Sequence, residues 1–303
     1  MTPTSLIDVV GPASRHFVSQ RLRLHYLEWG NESKPPLVLV HGGRDHAHSW
    51  DWVAQDLRDH FHIVAPDLRG HGDSAWAIGG MYALSDFVLD LAQLLEALGD
   101  EQVTILSHSL GGMISLQYTS LFPDRVKRIV AIEGLGPPIG RQETIESTPI
   151  DDRLRTWIEN MQKLAGRTPR SYESIELAAD RMQEANSFLS DEQARHLTVH
   201  GVARNEDGTY SWKFDNYVRA GAPYRLRETE FRELWSHISC PALLVHGTES
   251  WAGDPREDGR AEAFGQAEVL AFEGAGHWVH HDQLEGFLIA VRRFLGLPEA
   301  VGT

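Results

Sequence analysis

Five short apolar runs punctuate this chain, and the first leads within two residues into a pair of glycines. They are "PLVLV" (36–40) before His41-Gly42-Gly43, "HIVA" (62–65), "VTIL" (103–106), "RIVAI" (128–132) and "ALLV" (242–245). A strand covered on both faces reads as a continuous apolar run, because neither side of its pleat meets water. Between the runs lie stretches with helical spacing. "LSDFVLDLAQLLEALGD" (84–100) carries Phe87, Val88, Leu91, Leu94, Leu95 and Leu98, with Gly99 as the stop. Strands alternating with helices imply an α/β architecture around a parallel sheet.

The alternation lapses after "GLGPPIG" (134–140). Residues 137–236 are polar and charged, with helical patches at 151–165 and 173–187, and we read them as a helical cap inserted into the core. The core is then residues 1–136 plus 237–303. "PALLVHG" (241–247) and "VLAFEG" (269–274) restore the strand pattern. A final amphipathic helix carries Leu284, Phe287, Leu288, Val291, Phe294 and Leu295.

The run "VTIL" leads into Ser107-His108-Ser109-Leu110-Gly111-Gly112. A serine between a strand and a helix is a helix N-cap or a nucleophile on a sharp elbow. The pattern is G-x-S-x-G with its first glycine replaced by Ser107. A serine hydroxyl needs a base, the base needs an orienting acid, and the developing oxyanion needs preorganised N–H donors. His277, after the last apolar strand in "GAGHWVHHDQLEGF", is the expected base. The expected oxyanion donors are the backbone N–H groups of Leu110 and Gly43. Arg44 beside them is a candidate for substrate contact.

Taken in order, "LVLVHGG", "VAPDLRGHGDS", "SHSLGG" and "GAGHWVHHDQLEGF" resemble the α/β-hydrolase superfamily, in its branch with an HG-x oxyanion loop and a helical cap. The resemblance implies the α/β-hydrolase fold, a mostly parallel eight-stranded sheet with helices on both faces. It also implies a serine nucleophile, an acyl-enzyme and no cofactor. In that superfamily the acid usually follows the seventh strand, third after a glycine, where this chain has Ser250. Some relatives place it at the end of the sixth strand, where this chain has Glu133. Glu133 is favoured over Asp254 and Glu249, since a carboxylate closing an apolar strand needs a partner.

The expected activity is serine esterase, on small to medium apolar carboxylic esters. A lactonase, thioesterase, amidase, carbon–carbon bond hydrolase or inactive ligand receptor would share the same residues. Trp212 and Trp235 are the cap aromatics expected to line the pocket.

The 28 basic and 43 acidic residues leave a net charge of −15, which argues against nucleic acid or an anionic membrane as partner. No run approaches 18 apolar residues, so no membrane span is expected. The lone Cys240 forbids an internal disulfide, and "MTPTSLIDVVGPASRH" lacks the pattern of a secretory leader. A cytoplasmic enzyme with a small-molecule ester partner is expected, with a homodimer left open. His41, His46 and His48 flank a Gly-Gly turn without the spacing of a metal motif, so no metal is expected.

Overall fold

The computed structural model describes residues 11–80, 82–99 and 102–298. Most of the segment read as lacking a leader, residues 1–10, lies outside them. Eight strands form one sheet: β1 (Ala13–Ser19), β2 (Leu22–Trp29), β3 (Pro36–Val40), β4 (His62–Pro66), β5 (Val103–His108), β6 (Val126–Ile132), β10 (Ala242–Gly247) and β11 (Ala267–Phe272). Their order is β1-β2-β4-β3-β5-β6-β10-β11. β1 and β2 pair antiparallel, as do β2 and β4; every other pairing is parallel.

Helices cover both faces, as the apolar runs require. On one face α1 (Asp51–Leu57), α9 (Val279–Asp282) and α10 (Leu284–Leu295) close a core containing Trp50, Leu57 and Phe287. On the other, α2 (Leu84–Leu98) and α3 (Leu110–Leu121) pack Phe87, Leu91 and Ile114 against Val38, Ile105 and Ile129. α3 lies unusually close to the sheet. A Cβ on Gly111 would come within 2.3 Å of the Val40 carbonyl oxygen, and one on Gly112 within 2.4 Å of the Gly134 Cα. The two glycines after Ser109 thus set the depth of the helix that follows it.

Between β6 and β10 run α4 (Ile139–Ser147), α5 (Ile150–Ala165), α6 (Ile175–Ala185), α7 (Asp191–Gly201) and α8 (Glu228–Ser236). This stretch also holds a small antiparallel sheet, β7 (Ser171–Tyr172), β9 (Tyr210–Trp212) and β8 (Val202–Arg204), in that order. Leu189 and Leu197 bury themselves against Trp52 and Trp278 of the core. α8 packs with α3 and contributes Trp235 to the main core.

Candidate active site

The site is assembled at the carboxyl edge of the sheet, where open α/β sheets present their functional loops. His108 and Ile132 are paired across β5 and β6, so Ser109 and Glu133 both stand one step beyond a shared rung. Ile132 is in turn paired with Val245, which sets His246 beside Glu133. Five non-glycine residues among those described have positive φ, and three of them end strands or loops here: Arg44 (66°), Ser109 (50°) and Glu133 (52°). Such conformations cost free energy and persist where the surroundings over-determine them. For Ser109 and Glu133 the surroundings are backbone bonds: Ser109 N–H donates to the Ile132 carbonyl and Glu133 N–H to the Val245 carbonyl, both at 2.8 Å.

The elbow lifts the Ser109 hydroxyl out of the ladder toward His277. Its Oγ lies 2.9 Å from His277 Nε2. The other ring nitrogen, Nδ1, faces Glu133 Oε2 at 3.8 Å and Ser250 Oγ at 3.5 Å. The Glu133 side chain is 1% exposed and that of His277 21%. Glu133 Oε1 accepts the Gly247 N–H at 2.7 Å, while Oε2 has no hydrogen-bond partner. Glu133 also lies 3.6 Å from His246 Nδ1, whose ring stands between it and Asp254 at 3.9 Å. Asp254 is engaged by the Arg256 guanidinium, which holds its carboxyl below the usual range. Glu249 is solvent-exposed. Of the three carboxylates, Glu133 is the one set against the imidazole.

Two further groups hold the His277 loop, and sequence reasoning passed over both. His108 Nε2–H donates to the His277 carbonyl at 2.9 Å. Asp282 accepts the Gly276 N–H at 2.8 Å, and burial pushes its carboxyl up to about 6. His108 sits between the two serines of "SHS", where its place beside Ser109 was the available signal. Asp282 carried none beyond lying five residues after His277.

Behind Ser109, the Gly42-Gly43 turn is pinned by His41. Its Nδ1–H donates to the Gly42 carbonyl at 2.7 Å and its Nε2 accepts the Leu68 N–H at 3.0 Å. The carbonyl and N–H of one trans peptide point in opposite directions, so fixing the Gly42 oxygen also fixes the Gly43 N–H. A Cβ on Gly42 would meet Ser109 Cβ at 3.3 Å, and one on Gly43 the Leu110 side chain at 3.8 Å. The turn therefore abuts the elbow. Leu110 opens α3, where the first N–H groups have no partner within the helix and the helix dipole is positive. Arg44 is exposed at the rim.

Of the two tryptophans expected at the pocket, Trp235 lies in the main core. Trp235 is 4% exposed and stacks between Phe231 and Phe264 in the main core. The reading of it as pocket wall is therefore withdrawn. Its helical stretch looked like cap because polar residues flank it, but its apolar face turns to the sheet. Trp212 is half-buried in the small sheet, where its Nε1–H donates to the Tyr172 hydroxyl at 3.3 Å. The aromatic beside the imidazole is Trp251, with ring centroids 4.9 Å apart. Phe188 lies over the loop, within 2.9 Å of where a Gly276 Cβ would stand. A cleft of about 490 Å³ lined by Pro36, Thr104 and Lys127 opens at the opposite, amino-terminal edge. Lying at the wrong end of the strands, it is not the candidate site.

Comparison with known proteins agrees with the fold. The chain is 28% identical to an esterase, Rv0045c, of Mycobacterium tuberculosis, over 89% of this chain and 85% of that one. It is also 28% identical to a serine hydrolase-like protein of Dictyostelium discoideum, over 73% of this chain, and spans 62% of that relative's length. The solved structure of a hypothetical protein, PA1622 from Pseudomonas aeruginosa, superposes with a TM-score of 0.81 at 27% identity, covering 93% of this chain and 97% of that one. A family model described as alpha/beta hydrolase fold matches residues 35–284, and the chain belongs to that family.

Proposed function

We propose that this hydrolase cleaves carboxylic esters of small to medium apolar substrates through an acyl-enzyme on Ser109. The observation that carries the reading is the 2.9 Å approach of Ser109 Oγ to His277 Nε2 on a strained strand-to-helix elbow. His277 Nε2 takes the Ser109 proton as Oγ attacks the ester carbonyl. The tetrahedral oxyanion receives the N–H groups of Gly43 and Leu110. On collapse the alcohol leaves with the proton from His277. Water, activated by the same imidazole, then releases the acid and restores Ser109.

Glu133 is the triad acid in this reading. Its 3.8 Å distance from Nδ1 is longer than a hydrogen bond, and such contacts commonly tighten once substrate is bound. Its unpartnered Oε2 gains a donor when they do. The Ser250 hydroxyl supplements it at the position where an acid usually stands. The insertion, residues 137–236 as read from the sequence, sets substrate choice through the part that overlies the His277 loop, with Phe188 foremost.

The test is hydrolysis of a graded series of p-nitrophenyl esters by the wild type and by Ser109→Ala. Rates that peak at a defined acyl length and fall at least about 10³-fold in the variant support the reading. A variant that keeps wild-type rates overturns it.

A further inference from the structure

A second constellation lies away from Ser109, where α7 meets the turn that leads into α1. His48 belongs to a short 3₁₀ turn, Ala47–Trp50, and Asp51 is the first residue of α1. His196 and His200 stand one turn apart on α7, on a single face of the helix. His48 Nδ1 lies 2.9 Å from Asp51 Oδ2, and His196 Nε2 lies 3.0 Å from the same oxygen. The His48 and His200 rings stack with centroids 3.7 Å apart, and His196 and His200 lie at 4.8 Å. One potential ligand atom from each of His48, Asp51 and His200 falls within 4.8 Å of the others.

Ordinary packing accounts poorly for this group. His196 Nε2 is buried 3.0 Å from a carboxylate oxygen that His48 also approaches. Stacking two imidazoles beside a third, around one carboxylate, concentrates basic nitrogens at one point. The side chains of His48, Asp51 and His196 keep 22%, 22% and 28% exposure, which leaves an approach from solvent.

We propose that His48, Asp51, His196 and His200 bind one divalent first-row transition ion, with Zn²⁺ as the best match, and that the ion clamps α7 to the core. Three imidazoles and one carboxylate are a nitrogen-rich set suited to Zn²⁺, Ni²⁺, Co²⁺ or Cu²⁺, and a poor one for Mg²⁺ or Ca²⁺, which take oxygen. In a tetrahedral zinc site the ligand atoms stand about 3.3 Å apart. The stacked rings must therefore fan apart and converge. Side-chain rotation suffices, because the backbones are already held together. His46 Nε2 bonds to the Leu197 carbonyl at 2.8 Å, and α7 begins on a reciprocal Ser190–Gln193 cap. The His-x₃-His spacing on α7 was passed over in reading the sequence, where no metal was expected; the partners on the far side of the contact leave no local pattern.

The inference is independent of the ester reading, and its test does not read activity. Tag-free full-length protein, stripped of metal, is titrated with Zn²⁺, Ni²⁺ and Mg²⁺ by calorimetry, and its melting temperature is recorded with and without Zn²⁺. The expected result is one Zn²⁺ site per chain, a melting temperature raised by Zn²⁺, and no response to Mg²⁺. His196→Ala and His200→Gln should each weaken that site at least tenfold, while His237→Ala, outside the cluster, leaves it intact. Melting of the metal-free variants checks that they fold. If one variant is unfolded, the other decides. Zn²⁺ binding of unchanged affinity and stoichiometry in a folded His196 or His200 variant overturns the proposal, as does a Mg²⁺ response equal to that of Zn²⁺.

Discussion

Ser109 and Glu133 stand side by side one residue beyond the paired ends of β5 and β6, and both hold a left-handed φ, 50° and 52°. The same backbone device turns each side chain out of the sheet at the same edge. It brings a hydroxyl and a carboxylate 24 residues apart in sequence to opposite sides of one imidazole.

If Glu133 stabilises the imidazolium, Glu133→Gln lowers kcat by about 10²–10⁴, or roughly 3–5 kcal/mol in the barrier. The amide oxygen can still accept the Gly247 N–H, so the melting temperature should hold. Asp254→Asn and Glu249→Gln should each cost less than about tenfold, since Asp254 is already paired with Arg256 and the exposed Glu249 is screened by solvent. Steady-state kinetics of the three variants on one ester separate the readings. A crippled Asp254→Asn beside a mild Glu133→Gln would move the acid to the loop after β10.

Phe188 and Trp235 should part company. Trp235→Ala empties a stacked, buried site and should destabilise the fold by about 3–5 kcal/mol. The ranking of esters by acyl length should stay as it was. Phe188→Ala should shift that ranking with little change in melting temperature, because its ring is half-exposed beside the His277 loop. Melting curves and the ester series on both variants check this. A fixed ranking in Phe188→Ala would place the acyl pocket elsewhere.

Much of the fold was legible because buried parallel strands cannot hide: β3, β5, β6 and β10 are all apolar runs. Ser109 and His277 were legible because an elbow and a glycine-flanked loop leave local marks. β1 and the small sheet β7–β9 were missed, being short or open to solvent. Trp235 was misplaced because the partners that bury it, Phe264 and the sheet, lie outside its own stretch. His108 and Asp282 were missed for a related reason. Each acts on backbone groups of the His277 loop, and backbone contacts leave no residue type to recognise.

The buried histidines predict acid lability. Burial lowers His41 and His281 to about 3 and His46 and His71 to about 4. In the unfolded chain they titrate near the ordinary value of about 6.5. As pH falls, the unfolded state takes up protons first, so this contribution is complete above about pH 6.5 and drains away toward pH 4. Asp45, raised by burial to about 7, and Asp282, raised to about 6, work in the opposite sense. Their folded forms take up protons first, so they add stability as pH falls from 7 toward 4. The lowered imidazoles, His108 and His280 among them, outnumber the two raised carboxyls, so the melting temperature should drop between pH 7 and pH 4.5. A melting temperature that rises over that interval would show that the two acids dominate.

A covalent bond between substrate and Ser109 is open to active-site labelling. The wild-type protein is treated with a fluorophosphonate, digested and sequenced by mass spectrometry, beside Ser109→Ala and His277→Ala. The expected result is a single adduct on Ser109, none in Ser109→Ala, and labelling slowed at least about a hundredfold in His277→Ala, because the base is lost. An adduct on another residue, or equal labelling of Ser109→Ala, would contradict it.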